Sequence, residues 1–448
     1  MKKLRITAFI ILCLIAFTSS GCINTFRYSI GCAQIRPDQE FSFFVVSDIH
    51  HLSKSLYDNG KAFENFLMSG DGKLLKYTEE LLDALIEEVT VKKPDFLVIT
   101  GDLTCNGELK SHMDILEKLK SIENMGTCVF VLPGNHDILN PWANSYLGSD
   151  ETPEATITEE DFIKLYSPFG YDEAISKDDS SFSYLAMPTS DTWLLMLDSS
   201  DHNRNLDRKY PEKGGVLLPE TLEWMEQCAK LAKKNNARLI AVMHHSLIDH
   251  SSLVNKDYTV RNSDEVLRLF YRYGIEMVMT GHIHLQDIKT KEKNGKMVYD
   301  IATGSLSVYP HQYGRIDFKP GSGYLYSTKK LNISEWAMKN NISDEVLRNF
   351  ESYSSGIFME QCCKNYSNCM KELAELPVNE RDKAISAFTA MNLMYFAGYR
   401  NETLKESVDP EGYGILENMH ECFTKAYIMS MLNDERRDNN SISIEIKE

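Results

Sequence analysis

The distribution of hydrophobic residues along the chain predicts alternating strands and helices over its first two thirds. Short β-branched and aromatic runs at 41–47, 96–100 and 128–132 are typical of buried strands. Between these runs, apolar residues recur at helical spacing over 73–93 and 108–125. The same alternation predicts further strands at 193–197, 239–243 and 277–280 and further helices at 222–233 and 264–273. This order indicates βαβ units and a sheet covered by helices.

Two other segments belong to the same predicted α/β domain. Residues 138–181 contain no strong strand pattern, and we expect them to form an inserted lobe over one end of the sheet. Around Asn294-Gly295, two alternating segments predict a hairpin, and strand-like sequence continues up to Phe318. These patterns place the α/β domain at residues 40–328.

The hydrophobic pattern becomes helical after a cluster of turn residues at 319–323. Helical segments are predicted at 334–353, 358–376, 381–399 and 415–432. We therefore predict an additional all-helical C-terminal domain over 333–432, followed by a charged tail, 433–448, that we expect to be disordered. Three roles stay open for this domain: it caps a cleft, mediates dimerisation or only stabilises the α/β domain.

The composition excludes several classes of protein. Of 448 residues, 43% are hydrophobic and 25% charged, with 24 Gly and 13 Pro, which excludes collagen-like and low-complexity chains. The formal net charge is −17 at pH 7, whereas binding of polymeric nucleic acid requires clustered Lys and Arg. We therefore expect no polymeric nucleic acid as a partner. Ten cysteines are too few for a disulfide scaffold at this length, and the sequence does not give their pairing.

The first 21 residues have the features of a secretory signal peptide. Three basic residues precede an apolar run, 6–17, which is shorter than the roughly 20 residues needed to cross a bilayer. The sequence Ser20-Gly21-Cys22 resembles a bacterial lipoprotein cleavage site, at which Cys22 would be acylated. We therefore expect an exported protein, either a lipoprotein on the extracellular face of a bacterial cell membrane or a secreted protein.

Residues able to bind metal ions follow five of the predicted strands. In chain order they are Asp48 and His50; Asp102; Asn135, His136 and Asp137; His244 and His245; and His282 and His284. Ligand sites in open α/β sheets form beyond the carboxyl ends of the strands, so these side chains can converge. Each residue alone is more often structural, but their joint occurrence at strand ends favours a metal site. Oxygen and imidazole donors without cysteine suit Mn, Fe, Zn or Ni.

The order D-x-H, G-D, G-N-H-D, H, G-H-x-H resembles that of the calcineurin-like metallophosphoesterases over about residues 40–320. The resemblance implies a four-layer αββα sandwich that holds two divalent metal ions, either Mn, Fe, Zn or a mixed pair. The implied ligands are Asp48, His50 and His284 for one ion and Asn135, His244 and His282 for the other, with Asp102 bridging both. The resemblance also makes His136 the catalytic histidine beside the scissile phosphate.

The chemistry of two adjacent cations explains these residue types. The cations would clamp the phosphate and activate a bridging hydroxide for attack. A protonated His136 would donate a hydrogen bond to a phosphoryl oxygen, or a proton to the leaving alkoxide. Asp137 would either orient a ring or cap the following turn. We expect His244 to be the ligand and His245 to support it or contact substrate.

Subfamily features narrow the expected substrate. After Gly101-Asp102 the chain lacks the second aspartate and the arginine of the protein Ser/Thr phosphatases of this family. His244-His245 is similar to the His-His-Pro block of its cyclic-nucleotide phosphodiesterases, with Ser246 in place of the proline. The segment 103–108 is similar to bacterial secreted members with a helical C-terminal domain. We therefore expect a metal-dependent phosphodiesterase acting on small phosphodiesters, with cyclic nucleotides as the best candidates.

Two alternative functions stay open. A broad phosphomonoesterase or a glycerophosphodiester hydrolase would use the same metal ligands, and a surface binding protein would use an inactive phosphoesterase fold. Other residues also allow two interpretations: Trp142 stacks on a base or anchors the lobe, and the loop 198–202 contacts substrate or is only polar. His250 and His311 could line the cleft, although their spacing gives no indication of it. Oligomeric state is not indicated.

Overall fold

The computed structural model describes residues 35–446 except 71, 366 and 435. The expected signal peptide, 1–21, and the expected acylation site, Cys22, lie outside the described residues. Within the described part of the chain, no helix is long and apolar enough to span a membrane.

Two large β-sheets form the centre of residues 41–330, and one strand from the C-terminal tail joins the first of them. Across the first sheet the strands are β15 (Ser441–Ile444), β14 (Gly323–Lys330), β13 (Gln312–Lys319), β1 (Phe41–Val46), β2 (Phe96–Ile99) and β3 (Cys128–Val131). Across the second they are β11 (Asp287–Lys293), β12 (Lys296–Ala302), β10 (Met277–Thr280), β9 (Arg238–Met243), β8 (Thr192–Leu197), β7 (Tyr184–Ala186) and β6 (Ser176–Lys177). The inserted lobe contains a small separate pair, β4 (Asn144–Ser145) and β5 (Thr152–Pro153).

The helices fall into an early set and a C-terminal set. The early set is α1 (Lys61–Ser69), α2 (Thr78–Lys92), α3 (Leu109–Asn124), α4 (Glu159–Tyr166), α5 (Asn205–Arg208), α6 (Pro219–Lys234) and α7 (Ser263–Tyr273). The C-terminal set is α8 (Ile333–Lys339), α9 (Glu345–Arg348), α10 (Phe350–Asn365), α11 (Ser367–Ala374), α12 (Val378–Phe396), α13 (Glu402–Glu406), α14 (Pro410–Glu417) and α15 (Phe423–Leu432).

Side chains on opposite faces of one strand show how the layers pack. In β8, Leu194 and Met196 belong to the main core, which also contains residues of both sheets, α2 and α3. Leu195 and Leu197, which point to the other face of the strand, pack in a separate core with α6 and α7. The layer order of helix, sheet, sheet and helix confirms the predicted four-layer αββα fold with a helical C-terminal region.

Strand direction determines where the predicted ligands lie. The strands β1, β2 and β3 are parallel to one another in the first sheet, and β8, β9, β10 and β12 are parallel in the second. The motif residues directly follow β1, β2, β3, β9 and β10. They therefore lie at the carboxyl ends of parallel strands in both sheets.

The tail differs from the expectation of disorder over 433–448. Ser441–Ile444 forms β15, which pairs antiparallel with β14, and Ile444 is buried at 3% exposure. The charged residues that suggested disorder flank this short alternating segment. Four residues become a strand here because β14 offers an unpaired edge, a condition that the local sequence does not reveal.

Candidate metal centre

The first group of predicted ligands comes together where β1, β2 and β10 end. The ligand atoms of Asp48, His50, Asp102 and His284 all lie within 4.8 Å of one another. His50 Nε2 is 3.0 Å from His284 Nε2 and 3.5 Å from Asp102 Oδ2, and His284 Nε2 is 3.4 Å from Asp48 Oδ1. Two imidazole nitrogens and two carboxylates therefore face one point.

The second group lies beside the first and shares Asp102 with it. Ligand atoms of Asp102, His244 and His282 also lie within 4.8 Å of one another. His244 Nε2 is 3.4 Å from Asp102 Oδ2 and 3.2 Å from Asn135 Oδ1. The structure thus brings all seven predicted ligands together and places Asp102 between two groups, as a bridging carboxylate requires.

The hydrogen bonds of His244 and His282 leave one ring nitrogen of each histidine free to bind an ion at the second group. His244 Nδ1 lies 3.1 Å from the Thr100 carbonyl and His282 Nε2 lies 3.1 Å from the Asp257 carbonyl. A carbonyl accepts only, so these nitrogens carry the protons and the other ring nitrogen of each histidine is a lone-pair donor. Such second partners are typical of metal-bound imidazoles.

Asp48 provides the clearest sign that a cation fits. Its Oδ2 accepts hydrogen bonds from the His282 backbone N–H, at 2.9 Å, and from the Ser47 hydroxyl. Its Oδ1 is buried and has no hydrogen-bond partner among the described residues. A buried carboxylate oxygen without a donor is costly, and a divalent ion would compensate it.

The charge states of the buried groups also suit metal binding. Burial lowers the pKa of His50 and that of His282 well below the usual range, so both rings are neutral donors. Burial alone would raise the pKa of Asp102, but His244 and His136 hold it well below its usual value. Burial alone would also lower the pKa of His244, but the adjacent Asp102 raises it to about 9. The site therefore combines an ionised carboxylate at Asp102 with neutral imidazoles at His50 and His282.

Five of the seven predicted ligands have an unusual backbone conformation. They are Asp48, His50, Asp102, His282 and His284, whose φ angles of 51°, 47°, 50°, 66° and 62° fall in the left-handed region. This region is unfavourable for residues with a Cβ by on the order of 1 kcal/mol or more each. Strained residues concentrated on one point are typical of functional sites.

Two glycines of the motifs allow the sheets to approach at the site. Gly101 has a φ of 116°, and a Cβ there would lie 2.7 Å from His244 Nδ1. A Cβ on Gly281 would overlap the Ser47 hydroxyl. The glycines of G-D and G-H-x-H are thus required by close contact with the ligands and their supports.

His136 lies beside both groups. Its backbone N–H donates to Asp102 Oδ1 at 2.9 Å, and its ring packs edge-on to the ring of His50 with centroids 5.0 Å apart. His136 Nδ1 is 2.8 Å from the Cys105 carbonyl and 3.1 Å from Asn106 Oδ1. Because both are acceptors, Nδ1 carries a proton, and contact with a phosphate would be made through Nε2.

His245 supports the ligands and does not reach the cavity. It is fully buried, with Nδ1 at 2.9 Å from Ser199 Oγ and Nε2 at 2.9 Å from the Lys213 carbonyl. Its ring lies 4.3 Å from that of His282 and 5.1 Å from that of His244. Since protein groups occupy both nitrogens, the interpretation as a substrate contact is not supported by this arrangement.

Asp137 connects two ligand loops. Its carboxylate accepts hydrogen bonds from the backbone N–H groups of Gly134, Leu103 and Thr104, at 2.8, 3.1 and 2.9 Å. Burial and the nearby Asp102 raise the pKa of Asp137 to about 7. Asp137 is fully buried, so it acts as a cap and a connector rather than as a substrate contact.

The candidate centre opens into a cavity of about 750 Å³, within the range of small-molecule sites. Asp102, His136 and His284 line this cavity. Trp142 is also on its wall and 41% exposed, which corrects the interpretation of this residue as a buried anchor. Phe358, from the C-terminal helices, contributes to the same wall.

Other predicted candidates lie elsewhere. Asp198, Ser200, Asp201 and His202 line a separate cavity of about 620 Å³. His250 and His311 are buried in hydrogen-bonded networks, with Asp287 at 2.9 Å and Ser354 at 2.6 Å respectively. Neither histidine is among the described residues that line the cavity at the candidate metal centre.

Several supporting residues were not predicted. Asn106 contacts the ring of His136, and its position four residues after Asp102 was the only available signal. The hydroxyls of Ser305 and Ser307 donate to the Asp48 carbonyl at 2.8 and 3.1 Å. These serines lie more than 250 residues from Asp48 and belong to no motif, so sequence reasoning had no access to them.

Comparison with protein families agrees with this geometry. Residues 41–286 match the model of the calcineurin-like phosphoesterases, which covers more than half of the chain. The chain belongs to the calcineurin-like phosphoesterase family. The predicted resemblance is confirmed. Residues 332–438 match a second model, described as the C-terminal domain of cyclic nucleotide phosphodiesterase.

One curated relative is a probable cyclic nucleotide phosphodiesterase of Coxiella burnetii, 26% identical over 192 residues. That match covers 42% of this chain and 60% of the relative's length. Among solved structures, a dimetal phosphatase from Danio rerio has a TM-score of 0.43 at 13% identity, covering 65% of this chain and 95% of its own. The sulfate thiohydrolase SoxB of Thermus thermophilus has a TM-score of 0.35 at 11% identity, covering 76% and 62%.

Proposed function

We propose that this phosphoesterase is an exported phosphodiesterase that hydrolyses small phosphodiesters, and that its substrates are cyclic nucleotides. The observation that carries the proposal is the carboxylate of Asp102, which lies within 3.5 Å of His50 Nε2 in one ligand group and 3.4 Å of His244 Nε2 in the other. Two adjacent cation sites on one cavity are suited to a phosphate that must be bound and cleaved.

Each residue of the proposed centre has a defined task. Asp48, His50 and His284 would hold one divalent ion, Asn135, His244 and His282 the other, and Asp102 both. When bound, the two ions would supply Lewis-acid charge for the phosphate and an activated water as nucleophile. Mn, Fe, Zn or a mixed pair suits these oxygen and nitrogen donors.

His136 would act on the substrate directly. The Cys105 carbonyl and Asn106 Oδ1 hold its Nδ1, which fixes the plane of the ring and directs its other edge away from them. From this position Nε2, when protonated, would donate to a phosphoryl oxygen or give a proton to the leaving alkoxide.

Three observations support cyclic nucleotides as substrates. Residues 332–438 match a model described as the C-terminal domain of cyclic nucleotide phosphodiesterase, and the Coxiella burnetii relative is described as a probable cyclic nucleotide phosphodiesterase. The cavity volume suits a nucleotide rather than a phosphorylated protein surface. The formal charge of −17 disfavours a nucleic-acid polymer.

Export is proposed from the first 21 residues, and acylation from Cys22. The described structure adds one supporting feature, because Cys128 is disulfide-bonded and disulfides persist in oxidising compartments. The four cysteines of the last quarter, Cys362, Cys363, Cys369 and Cys422, are free thiols. Cell fractionation and mass spectrometry of the mature N-terminus would test this: a lipid-modified Cys22 supports anchoring, and an intact Met1 contradicts export.

The substrate assignment is tested with a panel that separates the candidate functions. Purified protein loaded with Mn should hydrolyse 3′,5′- or 2′,3′-cyclic nucleotides, and chelation should abolish this activity. If p-nitrophenyl phosphate is cleaved far faster than any diester, the protein is a phosphomonoesterase and the assignment fails. If the metal-loaded protein binds a cyclic nucleotide but does not hydrolyse it, the result would instead favour a surface binding protein with an inactive phosphoesterase fold.

A further inference from the structure

Part of the wall of the active-site cavity comes from the C-terminal helices. Phe358 and Gln361 of α10 and Phe396 at the end of α12 line the same cavity as Asp102 and His136. The rings of Phe358 and Phe396 meet edge-to-face, with centroids 4.9 Å apart and planes at 68°. The α/β domain therefore does not enclose the active site alone.

Buried contacts fix these helices to the α/β domain. Ile283 stands between the ligands His282 and His284 in the chain, is 8% exposed and packs in the core of the helical region. Arg400, which is 1% exposed, lies 3.1 Å from Asp287 Oδ1. Separating this buried pair would leave unpaired charges, so the helical wall is held in place before substrate binds.

Aromatic side chains provide much of the cavity wall. They are Phe66, Trp142, Tyr258, Phe358 and Phe396. Flat aromatic surfaces bind planar rings, and a nucleobase gains affinity by stacking on them. The wall thus suits the heterocycle of a substrate whose phosphate lies at the candidate metal centre.

One buried polar atom on this wall lacks a partner. Gln361 is 7% exposed, and its Nε2 donates to the Leu67 carbonyl at 3.4 Å. Because a carbonyl only accepts, the amide nitrogen has to face Leu67, and this fixes the position of Oε1. Gln361 Oε1 is buried without a hydrogen-bond partner among the described residues. A buried acceptor without a donor destabilises the folded state, and an N–H group of a ligand would remove this cost.

We propose that the C-terminal helices complete the active site with a subsite for a planar heterocycle that carries an amino group, and that Gln361 Oε1 accepts a hydrogen bond from this amino group. The proposal rests on the proposed phosphodiesterase function, which brings the ring of a cyclic nucleotide into the cavity. Adenine and cytosine carry such an amino group. Hypoxanthine and uracil carry a carbonyl oxygen at the same ring position, which would place two acceptors opposite each other.

The test compares two substrates that differ only at this position. The kcat/KM values for 3′,5′-cyclic AMP and 3′,5′-cyclic inosine monophosphate are measured with the wild-type protein and the Gln361→Leu variant. Wild type should prefer the adenine substrate about tenfold, the effect of one hydrogen bond. Gln361→Leu should lower kcat/KM for cyclic AMP about tenfold, mainly through KM, and change that for the inosine substrate less than twofold.

Glu360→Leu is the matched control, because Glu360 is the adjacent residue of α10 and is exposed and paired with Lys364. It should leave both kcat/KM values unchanged. Thermal unfolding shows whether Gln361→Leu folds. If it does not, the same assays are carried out with Gln361→Met, which also removes the oxygen.

Two contrary outcomes separate the subsite from the function on which it rests. If the wild type cleaves both cyclic nucleotides equally well, or if the Gln361 variant keeps the preference, the subsite is refuted while the proposed function stands. If the wild type cleaves methyl p-nitrophenyl phosphate but neither these two substrates nor the 2′,3′-cyclic nucleotides, the nucleotide function is refuted and the subsite with it.

Discussion

Asp102 is the residue on which both ligand groups depend. One carboxylate oxygen lies within 3.5 Å of nitrogens in both groups, and the other accepts the backbone N–H of His136. A single side chain would therefore hold both cations, and it fixes the position of the proposed catalytic histidine. The proposed role of Asp102 depends on its negative charge. Substitution by asparagine, which has the same shape but no charge, therefore tests this role.

Asp102→Asn should lower the kcat for phosphodiester hydrolysis at least about 100-fold, since an amide would not hold two cations as a carboxylate does. Metal analysis should show the loss of at least one bound ion per chain, with an unchanged circular dichroism spectrum. Asp150→Asn, in an exposed position of the inserted lobe, is the control and should behave as the wild type. Full activity of the Asp102 variant would contradict a bridged dimetal centre.

His136→Ala should separate catalysis from metal binding. Its ring nitrogens are not needed for the ion groups, so metal content should stay near that of the wild type while kcat falls roughly 10²–10⁴-fold, the usual contribution of a general acid. A substrate with a p-nitrophenolate leaving group, which needs no proton, should be affected much less. An equal loss for both kinds of substrate would argue against proton donation by His136.

Residues differ in how far the sequence predicts them. The seven ligands were predictable because short motifs place them directly after recognisable strands. Ser305 and Gln361 were not, because each acts through a contact with a distant segment that no local pattern encodes. His245 had two interpretations in the sequence, and only its bonds to Ser199 and the Lys213 carbonyl distinguish them.

At the scale of elements, the G-H-x-H turn connects the metal centre to the helical region. Its two histidines point to the ligand groups, and Ile283 between them packs against the C-terminal helices. The main α/β elements were predicted to within a few residues. β14 and β15 were not predicted. The four-residue β15 lies at the sheet edge and forms because β14 is available to pair with it, which the local hydrophobic pattern does not reveal.

Ile283→Ala should destabilise the protein by about 2–4 kcal/mol, the usual cost of removing a buried isoleucine side chain, and should also weaken metal binding. The second effect is expected because the turn that holds His282 and His284 loses its support. Ile316→Ala, at a fully buried position of β13, is the control for stability alone. Equal metal affinities of the two folded variants would contradict the coupling.

The contact between β11, β12 and the loop before α7 includes a buried charge network centred on His250, which lies 2.9 Å from Asp287 and 3.4 Å from Asp300. Burial alone would lower the pKa of His250, but Asp300 and Asp287 raise it to about 9. The facing groups also include the cations Arg400 and Lys289, which lie 3.1 and 3.7 Å from Asp287. Protonated His250 therefore stabilises the folded state.

The raised pKa of His250 predicts the direction of a pH effect on stability. Its contribution is complete below about pH 6.5, the value in the unfolded chain, and is lost as the pH rises through about 9; the full loss is roughly 3 kcal/mol. Urea unfolding of the wild type should show this decrease, and His250→Gln should show a smaller one. Identical pH dependence of the two proteins would contradict the assignment.

For the whole molecule, the acidic composition and the proposed phosphate chemistry are compatible. The net charge of −17 opposes binding of a polyanion over a broad surface. Two divalent cations would add about four positive charges at one point of the cavity, enough to attract a single phosphodiester. The helical region then has a defined place, because it closes the cavity wall rather than only stabilising the α/β domain.

Metal stoichiometry with activity tests the central claim most directly. Metal-free protein is titrated with Mn²⁺ while bound metal and hydrolysis of a cyclic nucleotide are measured in the same samples. The account predicts that activity reaches its maximum at two ions per chain and disappears on chelation. Full activity with no metal, or a maximum at one ion per chain, would contradict it.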